Sequence, residues 1–271
     1  MRFSLIILLM CYPTFRSPLF CSFEDRNSGA ENLALGNSTI ASWHNRYAIF
    51  YNPAGIQHNE KVCFSSTFRN YYGIKSINQV TAVSIFSLYS KKFSIGFERF
   101  GNNLYQENRI IFGFAFAVIK SINIGINIGY HSLEIAKYGR DDSFNLSIGF
   151  LYQINQKISL GLTVSDLYQP GLAENREDAY SNSAIGFAYI PLNNLTLYST
   201  ISHELRYPIE YKFGLEYSLK DYLLTRLGYE DSFDTISFGF GLEFISLTFN
   251  YALRWHVWLG ASHAISLEME I

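Results

Sequence analysis

The sequence INIGINIGYH occupies positions 122–131, and its isoleucines alternate with asparagine and glycine. Successive side chains of a β-strand point to opposite faces, so this strand would have one apolar face and one face of small or polar side chains. The same two-residue period is present in segments 144–152, 158–164, 209–217 and 236–244. After residue 60 no segment has the 3.6-residue period of an amphipathic helix. The period therefore predicts an all-β structure from about residue 60 onward.

About fourteen such segments can be counted, and the links between them mostly alternate between short and long. Outer-membrane barrels have an even strand number, short periplasmic turns and longer external loops. A soluble β-sandwich also alternates, but its second face would carry Lys, Glu and Thr. Here the second face is largely Gly, Ala, Ser and Asn across several strands. We therefore predict a transmembrane antiparallel β-barrel of about 14 strands over residues 59–271, in the outer membrane of a Gram-negative-type bacterium.

The composition indicates contact with lipid. Of the 271 residues, 48% are hydrophobic and only 16% are charged, whereas soluble domains carry roughly 25% charged residues. The net charge of −2 provides no basic field for a nucleic acid, so that class of partner is excluded. The expected partner is the lipid bilayer.

The N-terminus has the features of an export signal. Arg2 precedes an apolar run at 5–10, which is too short to span a bilayer as a helix and is typical of a secretory signal. We assign residues 1–22 to a signal peptide. Cleavage near Cys21 would leave Cys63 as the one certain thiol, which gives neither an intramolecular disulfide nor a cysteine metal cluster.

Residues 23–58 do not alternate, and we predict that they form a plug inside the barrel. A barrel of about fourteen strands has room for a filling segment. The segment has four aromatic residues that require burial, namely Trp43, Tyr47, Phe50 and Tyr51. We expect these side chains to pack against the small-residue wall formed by strands four to eight. Pro53 and Gly55 would form a rigid turn, and the Asn52 amide would bind backbone there. The alternative is a disordered periplasmic tail.

Two parts of the sequence resemble known families. Residues 29–37, followed by Ala48-Ile49-Phe50-Tyr51-Asn52-Pro53-Ala54-Gly55, resemble the N-terminal hatch signature of FadL-like outer-membrane proteins. Segments 213–217, 226–229, 238–242 and 259–267 are similar to the PorV/PorQ branch. The resemblance implies a set of hatch residues: Gly36, Asn52, Pro53, Ala54 and Gly55.

The two branches imply different functions. A FadL-like protein would be a passive transport component with a hydrophobic small molecule as its ligand. A PorV-like protein would serve type IX protein secretion, with secretion-system proteins as partners, or would be a non-transporting structural partner. The long outer loops that capture ligand in FadL are nearly absent here.

The sequence contains no pattern of an enzyme. The six histidines are scattered, with no metal-ligand spacing and no phosphate-binding loop, so we expect no catalytic site, no metal and no cofactor. Strands ten to fourteen do place charges at inward positions, including Glu210, Lys212, Glu216, Arg226, Glu243 and Arg254. These charges would form either a wall of interlocked ion pairs or a mainly acidic path beside the plug.

Overall fold

The computed structural model describes residues 28–58, 62–88, 91–167, 181–204, 207–232 and 234–271. The predicted signal peptide and residues 23–27 of the predicted plug lie outside these residues. Fourteen strands form a closed barrel in which every strand is antiparallel to both neighbours. The predicted fold and strand number are confirmed.

The strands follow one another around the barrel in chain order, and β14 pairs with β1 from Cys63↔Glu270 to Asn70↔His263. Their bounds are β1 Cys63–Asn70, β2 Asn78–Leu88, β3 Lys91–Gly101, β4 Tyr105–Ile119, β5 Ile122–Ile135, β6 Gly139–Asn155, β7 Ile158–Ser165, β8 Asn182–Leu192, β9 Leu195–Glu204, β10 Glu210–Lys220, β11 Leu223–Glu230, β12 Thr235–Phe244, β13 Leu247–His256 and β14 Gly260–Glu270.

The apolar face of the barrel points outward. On β1, Phe64 and Phe68 are 45% and 50% exposed, whereas Ser65 and Thr67 are buried, and the other strands follow the same pattern. An exposed apolar belt requires hydrocarbon around it, and closure pairs the backbone groups that hydrocarbon cannot satisfy. The protein is therefore a transmembrane barrel of the outer-membrane type. Among the described residues, no helix has the length and apolar character needed to cross a membrane.

The barrel has a short-turn end, which carries the start of β1 and the end of β14, and an opposite long-loop end. Toward the long-loop end, β6 begins at Gly139, whereas the two-residue period in the sequence begins only at residue 144. The added residues include Arg140, which is exposed and pairs with Asp142. Both faces of the strand are polar there, so the period disappears although the strand continues.

Residues 28–58, which we call the inner segment, lie inside the barrel. They contain two short helices, α1 Ala30–Ala34 and α2 Ala48–Tyr51, and two 3-10 turns at Thr39–Ala41 and Pro53–His58. Helix α1 packs against β11–β14, the first 3-10 turn against β7–β9 and the second against β3–β6. The segment thus contacts the wall around most of its circumference.

Candidate functional site

Inward-facing glycines let the inner segment approach the backbone of the wall. A Cβ atom on Gly125 would lie 2.2 Å from the carbonyl carbon of Pro53, and one on Gly161 would lie 2.2 Å from the oxygen of Ile40. A Cβ on Gly228 would lie 2.1 Å from the backbone nitrogen of Gly36. Real Cβ atoms do not approach other atoms that closely. The wall therefore accommodates the inner segment at these three positions only because glycine has no side chain.

Gly36 itself requires glycine for two reasons. Its φ is +59°, in the left-handed region that residues with a Cβ adopt at a cost. A Cβ here would also lie 2.7 Å from the backbone nitrogen and oxygen of Tyr229. Gly36 and Gly228 therefore meet backbone against backbone.

Asn52 connects the turn at Pro53 to both the inner segment and the wall. Its Nδ2 donates to the Ile40 oxygen at 2.8 Å and to the Phe150 oxygen on β6 at 3.0 Å. Its Oδ1 accepts from the Ala54 nitrogen at 3.1 Å. Asn52 and Ala54 are buried, and the turn packs against Gly149 of β6. One side chain thus forms hydrogen bonds with three backbone groups, two of them in the inner segment and one in the wall.

The four aromatic residues of the inner segment do not share one wall. Trp43 clusters with Ala54 and with Leu151 on β6. Tyr47 is fully buried in a cluster that includes residues of β1, β2 and β4, and its hydroxyl accepts from Thr67 at 2.7 Å.

The other two aromatic residues, Phe50 and Tyr51, pack against the same cluster as Tyr47. Phe50 lies near Gly96 of β3, under the Arg109 guanidinium at 5.5 Å from the ring centroid. Tyr51 donates to the Ser28 oxygen within the segment. The expectation of a wall formed by strands four to eight is therefore met only in part by Tyr47 and Phe50. Both contact β4, but α2 lies beside β3 and β4, so these rings also meet β1–β3, outside the expected wall.

A polar network inside the segment was not predicted from the sequence. Asn45 donates to Thr39 at 3.1 Å and accepts from the Tyr47 nitrogen at 2.8 Å. Thr39 in turn donates to Asn32 at 2.8 Å. These residues are buried, and the bonds connect the two halves of the segment. Isolated Asn and Thr in a sequence without a helical or strand period gave no signal for this network.

The inner segment is also tied to the wall by charge. Arg46 reaches Glu268 at 2.9 Å and Glu270 at 2.6 Å, both on β14. Asn37 donates to Glu230 of β11 at 3.1 Å. Ser28 donates to Glu98 of β3 at 2.7 Å. The segment is thus held on both sides of the lumen by side chains.

Most of the predicted lumen charges are paired with one another. Glu230 contacts Lys212 at 3.1 Å and Arg254 at 2.8 Å, and Lys212 also reaches Glu210 at 3.0 Å. Arg226 binds Glu216 at 2.6 Å. Glu243 lies exposed at the short-turn end. Five of the six predicted charges are therefore in ion pairs, which favours the wall of interlocked ion pairs over the acidic path.

One further buried pair was missed. Arg109 on β4 donates through Nε to Glu98 on β3 at 2.8 Å, and both side chains are almost fully buried. The two residues lie opposite each other in the β3–β4 register. The two-residue alternation of β4 places Arg109 on the lumen side, and this alternation was the signal in the sequence from which a buried charge at Arg109 could have been predicted.

A cavity of about 410 Å³ lies at the short-turn end between the inner segment and the wall. The segment contributes Glu31, Trp43 and Arg46 to its lining. The wall contributes residues of β6–β12, among them Tyr198 and Arg226. The cavity combines apolar surface with charges of both signs. Within the described part of the chain, no group of His, Cys, Asp and Glu residues is arranged to hold a metal ion.

These features define a class: a fourteen-stranded outer-membrane β-barrel whose lumen contains a segment of its own chain. Its structural neighbours are FadL-family outer-membrane channels. The toluene transporter TbuX of Ralstonia pickettii superposes with a TM-score of 0.69 at 11% identity, covering 92% of this chain and 100% of TbuX.

Two more structures give the same result. The monoaromatic hydrocarbon channel CymD has a TM-score of 0.68 at 11% identity, covering 92% of this chain and 99% of CymD. A FadL homologue of Pseudomonas aeruginosa has a TM-score of 0.58 at 11% identity, covering 89% and 97%. No family model matches the sequence, and no curated protein matches it. At these identities the likeness is one of fold.

Proposed function

We propose that the protein is a passive outer-membrane channel for small hydrophobic molecules, and that the inner segment is its plug. In this proposal residues 1–22 are the export signal, residues 23–58 are the plug and residues 59–271 are the wall. Gly36, Asn52, Pro53, Ala54 and Gly55 are the hatch residues that set the shape of the plug.

The observation that carries the proposal is the way in which the inner segment fills the lumen while leaving a cavity. The wall is a complete closed barrel whose strands pair without the segment, so the segment is not needed to complete the sheet. It is nevertheless seated against glycines and held by buried side-chain bonds. A part that closes a lumen without completing its wall is suited to controlling passage.

The solute class is inferred from the structural neighbours. TbuX is named a toluene transporter and CymD a monoaromatic hydrocarbon channel, and this chain covers almost all of each. We transfer that class, small and apolar molecules, to this barrel as part of the proposal. Transport chemistry of this kind requires no catalytic group.

The PorV-like role in type IX secretion is the second candidate. The observation in its favour is the tight seating of the inner segment, because a barrel that stays closed could serve as a structural or binding partner. Under this candidate the partners are secretion-system proteins, and removal of the barrel would stop secretion of a cargo protein without changing solute entry.

Solute uptake separates the two candidates. Cells of a Gram-negative host that lacks a FadL-type channel are given this barrel or an empty vector, and the initial uptake of radiolabelled toluene is measured. The proposal predicts faster toluene uptake and unchanged glucose uptake. Equal toluene uptake, with the folded barrel confirmed by heat-modifiable gel migration, would contradict the channel and leave the secretion role.

A further inference from the structure

The cavity at the short-turn end contains a buried carboxyl group that makes no direct bond within the described structure. Glu31 lies on α1, inside the barrel, and is 8% exposed. It lines the cavity. Among the described residues its side chain makes no hydrogen bond and no close ion pair, although the charges of Arg226 and Arg46 act on it from a longer distance. Buried carboxylates are normally paired, because an unpaired buried charge is costly. A buried carboxyl without a direct partner, whether neutral or charged, leaves its oxygens without hydrogen bonds, and at the surface of a cavity those oxygens point to a ligand.

The same cavity has an apolar side. Trp43 of the inner segment, Ile158 of β7, Tyr198 of β9 and Leu224 of β11 contribute to its lining. The volume of about 410 Å³ falls in the range of small-molecule sites and far exceeds what a bare ion needs. Aromatic rings beside a carboxylate are a recurrent arrangement for ammonium groups. We propose that this cavity binds a small organic ammonium ion, its charge against Glu31 and its apolar part against Trp43 and Tyr198.

The charges around Glu31 favour a cation over an anion. Two arginines face it, Arg226 of β11 and Arg46 of the inner segment, and both are already engaged by wall carboxylates. Arg226 binds Glu216, and Arg46 binds both Glu268 and Glu270. Three wall carboxylates thus face two guanidinium groups, and Lys157 and Glu243 in the cavity lining add one charge of each sign. The surroundings are therefore negative by one charge before Glu31 is counted. An anionic ligand could reach Lys157 at the β6–β7 turn, but to bind either guanidinium group it would have to displace a carboxylate.

Protonation of Glu31 links this site to pH. Burial raises the pKa of its carboxyl to about 8, with Glu268 of β14 and Glu216 of β10 raising it further and Arg226 and Arg46 opposing the rise. The carboxyl of Glu31 is therefore largely protonated at neutral pH. An ammonium ion binds the ionised form, so its affinity should increase as pH rises toward 8.5. This inference does not depend on transport, because binding can be measured on the folded barrel in detergent.

The test is calorimetric titration of the purified full-length protein with benzylamine hydrochloride and with benzyl alcohol, which has a similar shape but no charge. We expect benzylammonium to bind at least about tenfold more tightly than the alcohol at pH 8.5, as for a charge-assisted hydrogen bond. We also expect its affinity to fall at pH 6.5. Glu31→Gln should remove the preference for benzylammonium and leave the affinity for benzyl alcohol unchanged. The control variant Glu134→Gln, at an exposed site of the long-loop end, should change neither affinity.

Glu31→Gln should fold normally, because it replaces an unpaired carboxylate with a neutral group of the same shape. Heat-modifiable migration and the unfolding temperature verify this. Equal affinity for amine and alcohol, an unchanged preference in Glu31→Gln, or no binding of either probe would overturn the proposal. Magnesium that competes with benzylammonium at equal strength would also overturn it, and would identify an inorganic cation site.

Discussion

The close backbone contact between Gly36 of the inner segment and Gly228 of β11 provides a direct way to loosen the plug without damaging the wall. In Gly228→Val the new Cβ would lie 2.1 Å from the Gly36 nitrogen, 2.5 Å from the Leu35 carbonyl carbon and 2.7 Å from the Ala34 oxygen. Backbone atoms cannot rotate away as a side chain can. Residues 34–36 of the inner segment must therefore move away from β11 by more than 1 Å, which is roughly the difference between the shortest of these distances and an ordinary van der Waals contact. The β11 strand itself tolerates valine better than glycine.

The magnitude follows from that geometry. Overpacking typically costs about 1–3 kcal/mol, and a contact with fixed backbone belongs at the upper end. About 3 kcal/mol lowers the ratio of seated to displaced plug by roughly a hundredfold, because each 1.4 kcal/mol is a factor of ten. The assay is single-channel conductance in planar bilayers, where Gly228→Val should open far more often than wild type.

The control for this variant is Ser199→Val, which introduces the same side chain on the lipid-facing side of β9, opposite Phe213. It should conduct like wild type. Both variants must show heat-modifiable migration. If Gly228→Val, once shown to be folded, conducts no more than Ser199→Val, the backbone seat at Gly36 does not hold the plug closed, and the reasoning fails.

Three other substitutions test separate parts of the structure. Asn52→Ala removes a hydrogen-bond donor from the carbonyl groups of Ile40 and Phe150, so we expect it to lower the unfolding free energy by about 1–3 kcal/mol and to raise conductance. Unchanged urea unfolding would contradict this role. Glu98→Gln leaves Arg109 buried beside a neutral partner and should cost about 3–5 kcal/mol in the same assay. Phe238→Arg puts a charge on the lipid-facing side of β12, and at mid-depth of the bilayer it should lower the unfolding free energy by about 2–4 kcal/mol, measured by refolding into lipid vesicles. An unchanged unfolding free energy would contradict a lipid-facing β12.

The barrel could be predicted because its signal is local and repeated. Alternation such as that of 122–131 depends only on which face of one strand meets lipid, so each strand shows its orientation independently. The fourteen-strand count followed from repeating that step. Strand ends such as Gly139–Asp142 could not be predicted, because beyond the apolar belt water lies on both sides and the two faces need not differ.

The interior could be predicted only in part. The turn at Asn52-Pro53 has a local signature, because proline and asparagine restrict the backbone within a few residues. The position of Tyr47 and Phe50 depends on how α2 fits among walls distant in sequence, and no local pattern encodes that. Glu31 and Arg46 were overlooked for the same reason. Their environment is formed by β10, β11 and β14, which lie more than 160 residues further along the chain.

The central claim is that the inner segment closes the barrel, and the most direct test is to remove it. Single-channel conductance of the full-length protein is compared with that of a variant lacking residues 29–55, each shown to be a folded barrel by heat-modifiable migration. We predict that the deletion retains the barrel, whose strands close without the segment, and gives a large, steadily open conductance where the full-length protein is mostly closed. Equal conductance of the two folded proteins would contradict the account, because the segment would then not be the closure of the channel.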